Sequence, residues 1–394
     1  MLNERLKNVR VHPMLLLSVS IALLTVLSCA GTSDTNTGVK TNKDLIDALG
    51  QNTHSVVFGE PDGPHLIITP ELSARVLGAS IEGENGENLM WVDKTVYDGS
   101  FWASKPYFWN AGGFRTWVGP EDIFFLDSEN EWFVPVSLDP APYRLIEQST
   151  MSATFEADVN LKTNIDKYYK TTIKRRILLL TDSPEKAGAL PDGVTYMGID
   201  QTHSLTNQSE EVIGIDTPYI TLWSLLQLNP SGTTMVPLVD GYDPATAYRE
   251  YFAPFGDRMS VENNIVSVQI DGEYRSKLGV HPAAAKSGIA YLRDNGDNTG
   301  VLFVMLMYID PDGIYVDKPW GTESDYGDAI ELYNDDGAMG GFAEIECHGP
   351  AKMLKRGETQ SHKATLHIYK GSLDELKTIG SNLLDADLSN AVYY

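Results

Sequence analysis

The 394-residue sequence predicts an all-β fold, a sandwich or barrel of antiparallel sheets with a short C-terminal helix. Short runs rich in β-branched and aromatic residues recur along the chain, separated by Gly, Asn, Asp and Pro, as is typical of strands joined by tight turns. No helical periodicity intervenes between these runs, which argues against a parallel sheet with crossover helices. An apolar stripe at helical spacing follows residue 372 near the end of the chain.

The amino-terminal segment is typical of a bacterial signal peptide. Basic residues precede an apolar run of 14 residues, Met14–Leu27, which is shorter than the ~20 residues that span a bilayer. Val26–Cys29 resembles a lipobox, so we expect lipid on Cys29; an ordinary secretory signal is the alternative. We therefore expect a signal peptide at 1–28, a lipidated cysteine, flexible tether and short helix at 29–50, and a single domain at 51–394.

The composition excludes several classes of partner. With 30 Lys+Arg against 54 Asp+Glu the formal net charge is −24, and a nucleic-acid partner would need a basic surface. Such an acidic body would be held at a membrane by its lipid alone, so we expect an anchored protein of the bacterial cell envelope, in the outer membrane. Lipid on Cys29 would leave Cys347 without a disulfide partner, and Cys347 is expected to be a small buried residue.

The sequence predicts eight strands, a hairpin turn and the start of the C-terminal helix. Asp294–Asn298 lies between two apolar runs and predicts the hairpin turn, because Asn and Gly tolerate positive φ; a calcium-binding loop is the alternative. Ser372 and Glu375 have the spacing of a capping box, which predicts the start of an amphipathic helix. The predicted strands are Ser55–Phe58, Leu66–Thr69, Lys170–Leu180, Val194–Asp200, Val212–Ile215, Tyr219–Leu228, Val301–Ile309 and Thr365–Tyr369.

The strong catalytic motifs are missing from the sequence. There is no GxxxxGK[ST], GxGxxG, HExxH, CxxC or GxSxG segment, so nucleotide-binding, zinc-protease and serine-esterase functions have no support. No motif indicates a cofactor or a metal site. The candidates for function are instead clusters of aromatic and polar residues.

An aromatic cluster spans residues 91–132. It holds five of the seven tryptophans and a glycine-bearing segment that contains Arg115, Trp117 and Glu121. Flat aromatic rings are what the C–H faces of a sugar stack on, while polar groups fix its hydroxyls; a sandwich core is the alternative for most of the rings. The five tryptophans are Trp91, Trp102, Trp109, Trp117 and Trp132.

A second cluster lies in the segment Gly341–His348. If this segment is a strand, Glu344, Glu346 and His348 project to one face, where a carboxylate beside a histidine is a candidate acid/base pair. A solvent-facing strand surface is an equal alternative, and metal binding by the three is a weaker one. Trp223 and Gln227 on another strand, and His281 in a loop before a proline, are further candidates for ligand contacts.

Several segments, in their order along the chain, resemble the galactose-mutarotase-like superfamily. Leu66–Ile81 with Leu89–Trp91 resembles the opening hairpin of its β-supersandwich, Leu205–Ser209 its Thr-Asn-x-Ser turn, and Glu344–Glu346 its late, glutamate-bearing strand. Within that superfamily the chain resembles an uncharacterised family of bacterial lipoproteins. That narrower resemblance is carried by Gly112–Gly113, Trp117, Gly119–Glu121, Trp223–Gln227 and Ala343–His348.

The resemblance implies a galactose-mutarotase-like β-supersandwich with a carbohydrate cleft, but one catalytic group is replaced. Mutarotases use a histidine acid and a glutamate base; the glutamate would be Glu346, with Glu344 as the alternative. Ala111 stands where the resemblance implies a histidine, and Tyr219–Trp223 contains none. His281, His348 and Arg115 are the candidate replacements.

Three functional hypotheses follow. The first is a non-catalytic carbohydrate-binding lipoprotein, favoured by the missing histidines and the aromatic cluster. The second is an epimerase, lyase or hydrolase that uses Glu346 as its acid or base. The third is an envelope structural protein without a small ligand.

Overall fold

The computed structural model describes residues 39–103, 105–322, 324 and 326–394. These residues form two large antiparallel sheets of nine and ten strands, which confirms the all-β prediction. The predicted signal peptide and lipid site, Cys29, and most of the tether lie outside the described residues. No helix among the described residues has the length and apolar character needed to cross a membrane.

The nine-stranded sheet carries most of the residues that matter for function. Its central strands β4, β9, β18, β17 and β14 pair antiparallel with regular registers. In spatial order it contains β1 (Val56–Gly59), β2 (His65–Thr69), β3 (Arg75–Ser80), β4 (Phe114–Gly119), β9 (Thr221–Leu228), β18 (Ala343–His348), β17 (Ile330–Asn334), β14 (Ser276–Val280) and β11 (Tyr248–Glu250).

The ten-stranded sheet forms the other layer. Its strands β6 and β7 alternate between buried and more exposed residues, as expected for a sheet with one face on the core. In spatial order it contains β12 (Met259–Glu262), β13 (Ile265–Ile270), β10 (Gly232–Pro237), β15 (Gly288–Asp294), β16 (Thr299–Met307), β19 (Thr359–Ser372), β8 (Thr195–Asn207), β7 (Tyr168–Leu180), β6 (Ser152–Lys162) and β5 (Arg144–Gln148).

The helices are short and peripheral. As predicted, the Ser372 side chain accepts a hydrogen bond from the Glu375 backbone N–H at the start of the C-terminal helix, whose apolar stripe packs against residues such as Leu302 and Tyr369. The α-helices are α1 (Asn42–Gly50), α2 (Lys94–Asp98), α3 (Glu121–Phe124), α4 (Pro244–Ala247) and α5 (Leu373–Leu384). Five 3₁₀ helices cover Pro70–Leu72, Ser100–Ala103, Glu185–Ala187, Gly256–Arg258 and Leu388–Asn390.

Two turns show how the sequence predictions fared. The hairpin turn is present between β15 and β16, with positive φ at Gly296 and Asn298. The predicted strand Val212–Ile215 is wrong: this segment is a turn with a single bridge residue. Its β-branched residues are overridden by Gly214 at φ 89° and by Asp216, whose carboxylate accepts a hydrogen bond from the Val212 backbone N–H.

A polar layer crosses the core between the two sheets. His203 on β8 contacts Thr116 of β4 (Nδ1 to Oγ1, 2.7 Å) and Ser224 of β9 (Nε2 to Oγ, 2.9 Å). Cys347 on β18 lies 3.3 Å (Sγ to Nε2) from His362 on β19. Burial lowers the pKa of His362 to about 3. Burial and the nearby Arg175 charge lower the pKa of His203 well below its ordinary value of 6.5. Both histidines are therefore neutral in the folded protein at neutral pH.

Replacing His362 should reduce the loss of stability in acid. An unfolded histidine has an ordinary pKa of 6.5, so between pH 6.5 and about 3 the unfolded chain binds a proton at this position that the folded protein does not. This contribution to the free energy of unfolding is present above pH 6.5 and is lost as the pH falls. We expect His362→Gln to lower the pH slope by about 1.4 kcal/mol per unit near pH 5 in urea titrations.

Cys347→Ala is the control, because it removes the contact with His362 but leaves the titrating group in place. It should lower stability at every pH and preserve the slope. An unchanged slope in folded His362→Gln would show that His362 binds its proton in both states.

Candidate functional site

The registers of strands β4, β9, β18 and β17 align aromatic and ionisable side chains on one face of the nine-stranded sheet, opposite the core between the two sheets. In one row Trp117 on β4 is opposite Trp223 on β9, which is opposite His348 on β18. In the next row Glu346 on β18 is opposite Glu331 on β17. Because side chains alternate between the two faces of a strand, the intervening residues enter the core instead.

A cleft opens over these rows. Partly buried Trp109 and Trp132 and exposed Phe252 line it together with the fully buried Glu346 and Trp223. Its lining residues are Trp109, Arg115, Trp117, Glu121, Trp132, Trp223, Leu225, Phe252, Arg275, Lys277, Tyr333, Met339, Glu344 and Glu346.

Arg115 is held in a frame of aromatic rings and one carboxylate. Its guanidinium carbon lies 4.4 Å from the centre of the Trp117 ring and 5.4 Å from that of Trp109. Its Nη2 donates to Glu344 Oε1 at 2.7 Å, while the Trp117 indole donates to Asp139 at 2.7 Å. Burial raises the pKa of Glu344, and the Arg115 charge opposes that rise.

Lys277 is the buried cation at the centre of the acidic residues. Its Nζ lies 2.7 Å from Glu331 Oε2, 3.6 Å from Glu346 Oε2 and 3.8 Å from Asp317 Oδ2. Burial alone would lower the Lys277 pKa, but the carboxylates outweigh it and hold the pKa well above its ordinary value. Burial would likewise raise the pKa of Glu331, but Lys277 and His348 hold it well below its usual range. Lys277 and Glu331 therefore form an ion pair at neutral pH.

Glu346 is a cleft carboxyl whose pKa is raised by burial. Its Oε2 accepts a hydrogen bond from the Trp223 indole at 2.9 Å. Burial raises its pKa well above the usual range; the charges of Glu344 and Glu331 act in the same direction and Lys277 opposes them. A raised pKa favours the neutral carboxyl, which can donate a hydrogen bond or a proton to a ligand.

The acidic cluster resembles a metal site, but Lys277 already supplies its positive charge. One ligand atom from each of Asp317, Glu331 and His348 lies within 4.8 Å of the other two. The Lys277 ammonium contacts Glu331 at 2.7 Å, and His348 Nε2 lies 3.0 Å from the same carboxylate oxygen. A divalent cation would have to displace this ammonium, so the arrangement favours the lysine over a metal.

The structure brings six of the nine predicted site residues to the cleft: Arg115, Trp117, Glu121, Trp223, Glu344 and Glu346. The side chain of His348 lies behind the cleft, stacked on Trp223 with ring centres 4.9 Å apart. Gln227 points to the same side of its strand but donates to Asn110 at 2.8 Å beneath the surface. His281 does not approach the cleft residues, because its ring packs against Tyr326 at 3.8 Å.

The late strand is also buried along its whole length, which excludes the solvent-facing alternative for Ala343–His348. The most important residues that sequence reasoning missed are Lys277 and Glu331. Each is a lone charge inside a short apolar strand, β14 and β17, and a charge in an otherwise buried strand is the signal that could have identified them. Asp317 and Arg275, by contrast, carry no such signal.

Comparison with known proteins identifies a family and several similar structures. The model of a family of unknown function, DUF6786, matches residues 40–392. No curated protein matches the chain. Among solved structures, the chain is similar to a galactose mutarotase-like protein from Lactobacillus casei ATCC 334, with 11% identity, a TM-score of 0.45, and coverage of 80% of this chain and 100% of the other.

Two further structures are similar. A galactose mutarotase related enzyme from Lactobacillus acidophilus shares 10% identity with a TM-score of 0.43, covering 79% of this chain and 96% of the other. The α-galactosidase from Lactobacillus brevis shares 11% identity with a TM-score of 0.38, covering 83% of this chain and 41% of the other.

Removing the Lys277 charge should destabilise the protein strongly. Lys277→Met leaves Glu331 buried beside Glu346 and Asp317 without their shared cation, so we expect a loss of about 3–5 kcal/mol in urea unfolding. Added Mn²⁺ should restore part of this loss in the variant, because it can occupy the space among the carboxylates and His348.

The control is Lys186→Met, which breaks an ion pair with Asp385 in which both side chains are exposed, and it should cost less than about 1 kcal/mol. Equal stability of Lys277→Met and the unmodified protein would contradict the role assigned to the ammonium.

Proposed function

We propose that this chain, which belongs to the family of unknown function DUF6786, binds a carbohydrate in the cleft of its nine-stranded sheet. One observation carries the proposal: aromatic faces and hydrogen-bonding groups converge on one cleft. Partly buried Trp109 and Trp132 offer apolar faces, and Arg115, Glu346 and Lys277 offer polar atoms deeper in. A sugar ring has the same division, with apolar C–H faces and hydroxyls at its edge.

The two tryptophans are held in place before any ligand arrives. Their ring centres lie 5.4 Å apart at an interplanar angle of 72°, and Trp109 also contacts Trp117 at 5.5 Å. The Trp132 indole donates to Glu121 Oε1 at 2.9 Å. Rigid side chains lose little conformational entropy when a ligand binds, which favours affinity.

The groups that line the cleft favour binding over turnover. We propose binding without turnover as the primary function, because neither His281 nor His348 reaches the cleft as an acid.

Catalysis is a second candidate, favoured by one pair of groups. Glu346 lines the cleft with a pKa that burial raises, and the Lys277 ammonium lies 3.6 Å from its Oε2. A neutral carboxyl beside a cation can give a proton to a sugar oxygen and take one back. Lys277 would then supply the positive charge that the missing histidine supplies in mutarotases.

We propose that binding takes place at the bacterial cell envelope, with Cys29 as the lipid anchor. The apolar run and the lipobox-like Val26–Cys29 support this location. The net charge of −24 supports attachment through the lipid rather than through the protein surface.

Replacing the cleft tryptophans should weaken sugar binding. We expect Trp109→Ala and Trp132→Ala each to reduce affinity about tenfold, because each removes a stacking face worth about 1.4 kcal/mol. The measurement is calorimetric titration of the purified chain with the sugars that shift its melting temperature in a broad panel.

Trp102→Ala is the matched control, since Trp102 packs on Phe101 and Tyr107 and does not line the cleft. It should leave the affinity unchanged. If no sugar binds the folded protein, the proposed function is wrong and the structural hypothesis for the envelope gains support.

Glu346→Gln separates binding from catalysis. If the protein converts a sugar it binds, the variant should lower kcat by about 100- to 10,000-fold, since an amide cannot exchange the proton. Anomerisation and glycoside cleavage followed by NMR are the assays, and exposed Glu147→Gln is the control. Full turnover in Glu346→Gln would exclude Glu346 as the acid/base, and no turnover by the unmodified protein would leave binding alone.

A further inference from the structure

The carboxylates of the cleft are already engaged by protein donors. Glu121 accepts hydrogen bonds from two indoles, Trp132 at 2.9 Å and Trp320 at 3.3 Å, one on each oxygen. Glu344 accepts from Arg115, and Glu346 accepts from Trp223. Glu121 therefore has a donor on each oxygen, while Glu344 and Glu346 each have one oxygen engaged in this way.

The guanidinium groups of the cleft, in contrast, have donors to spare. Arg115 is 1% exposed and lines the cleft, yet its Nε and Nη1 are buried without a hydrogen-bond partner. Buried N–H donors are satisfied in nearly all folded proteins, so two on one side chain indicate a missing acceptor.

Arg275 provides a second, more open guanidinium at the same cleft. It is exposed, its guanidinium carbon lies 4.4 Å from the centre of the Phe252 ring, and it forms no ion pair or side-chain hydrogen bond with another described residue. This is notable in a chain with 54 acidic and 30 basic residues, where a cation has many potential partners. The cleft thus contains spare N–H donors on Arg115 and a guanidinium, Arg275, that has no partner among the described residues.

We infer that the saccharide bound in the cleft is acidic and that the carboxylate of a uronic acid unit is recognised by Arg275 and Arg115. The planar fork of a guanidinium matches the two oxygens of a carboxylate, and such charge-assisted pairs are stronger than neutral hydrogen bonds. The aromatic faces of Trp109 and Trp132 would take the sugar ring to which the carboxylate is attached. This inference rests on the proposed function and names its ligand class.

Matched pairs of sugars test the inference. Calorimetric titrations of the full chain would compare glucose with glucuronate and galactose with galacturonate, with galactose 6-sulfate and acetate as further probes. We expect the uronates to bind at least tenfold more tightly than the neutral sugars, and this advantage to shrink as NaCl rises from 50 to 500 mM.

Arg275→Gln should bring the ratio of uronate to neutral-sugar affinity close to one. Arg258→Gln is the control: Arg258 pairs with Asp271 at 3.1 Å, stacks on Tyr274 and does not line the cleft, so this variant should keep the ratio. Uronate preference that survives in Arg275→Gln would overturn the assignment of the carboxylate to this residue.

The remaining outcomes separate the inference from the proposed function. Equal affinity for neutral and acidic sugars overturns the acidic ligand and leaves carbohydrate binding intact. Binding of galactose 6-sulfate but not of the uronates would show that the cleft recognises a sulfate group and not a carboxylate. Acetate binding as tight as uronate binding shows an anion site without sugar recognition, and binding of no sugar at all overturns the proposed function itself.

Discussion

The contact between the Lys277 ammonium and Glu331 is the interaction on which the cleft depends. Burying charges is costly unless each one is paired and hydrogen-bonded, and here one ammonium serves three carboxyl groups on neighbouring elements. It holds the pKa of Glu331 well below its usual range, while burial raises the pKa of Glu346 and of Asp317. Three acidic side chains at and beneath the cleft therefore share one buried ammonium.

The strand registers explain why such a cluster can exist in this fold. The nine-stranded sheet sends apolar residues of β4, β9 and β18 into the core and sends their neighbours along each strand to the cleft. Both faces of these strands are buried, so the polar face is shielded from water without being part of the apolar core. Shielding from water strengthens the electrostatic interactions of the cleft, including any hydrogen bonds that its donors form with a polar ligand.

Sequence reasoning predicted the fold and one side of the site. The alternation in β18 placed Glu344 and Glu346 on one face, the face that lines the cleft, and the aromatic cluster contained Trp117 of β4, which also lines it. It did not find Lys277 or Glu331, because their importance arises from cross-strand pairing among residues distant in the sequence. It also placed His281 in the site. A histidine before a proline indicates a loop, but the sequence does not show which residues that loop packs against; here it is Tyr326. Side-chain periodicity is local, whereas the partners of a buried charge are not.

A crystal structure of the protein grown with the tightest-binding sugar of a panel tests the central claim most directly. The account predicts density for a sugar ring against Trp109 and Trp132, with oxygen atoms within hydrogen-bond distance of Glu346 and of a guanidinium of the cleft. A sugar bound elsewhere on the chain, or a cleft that stays empty at a sugar concentration far above the measured Kd, would contradict it.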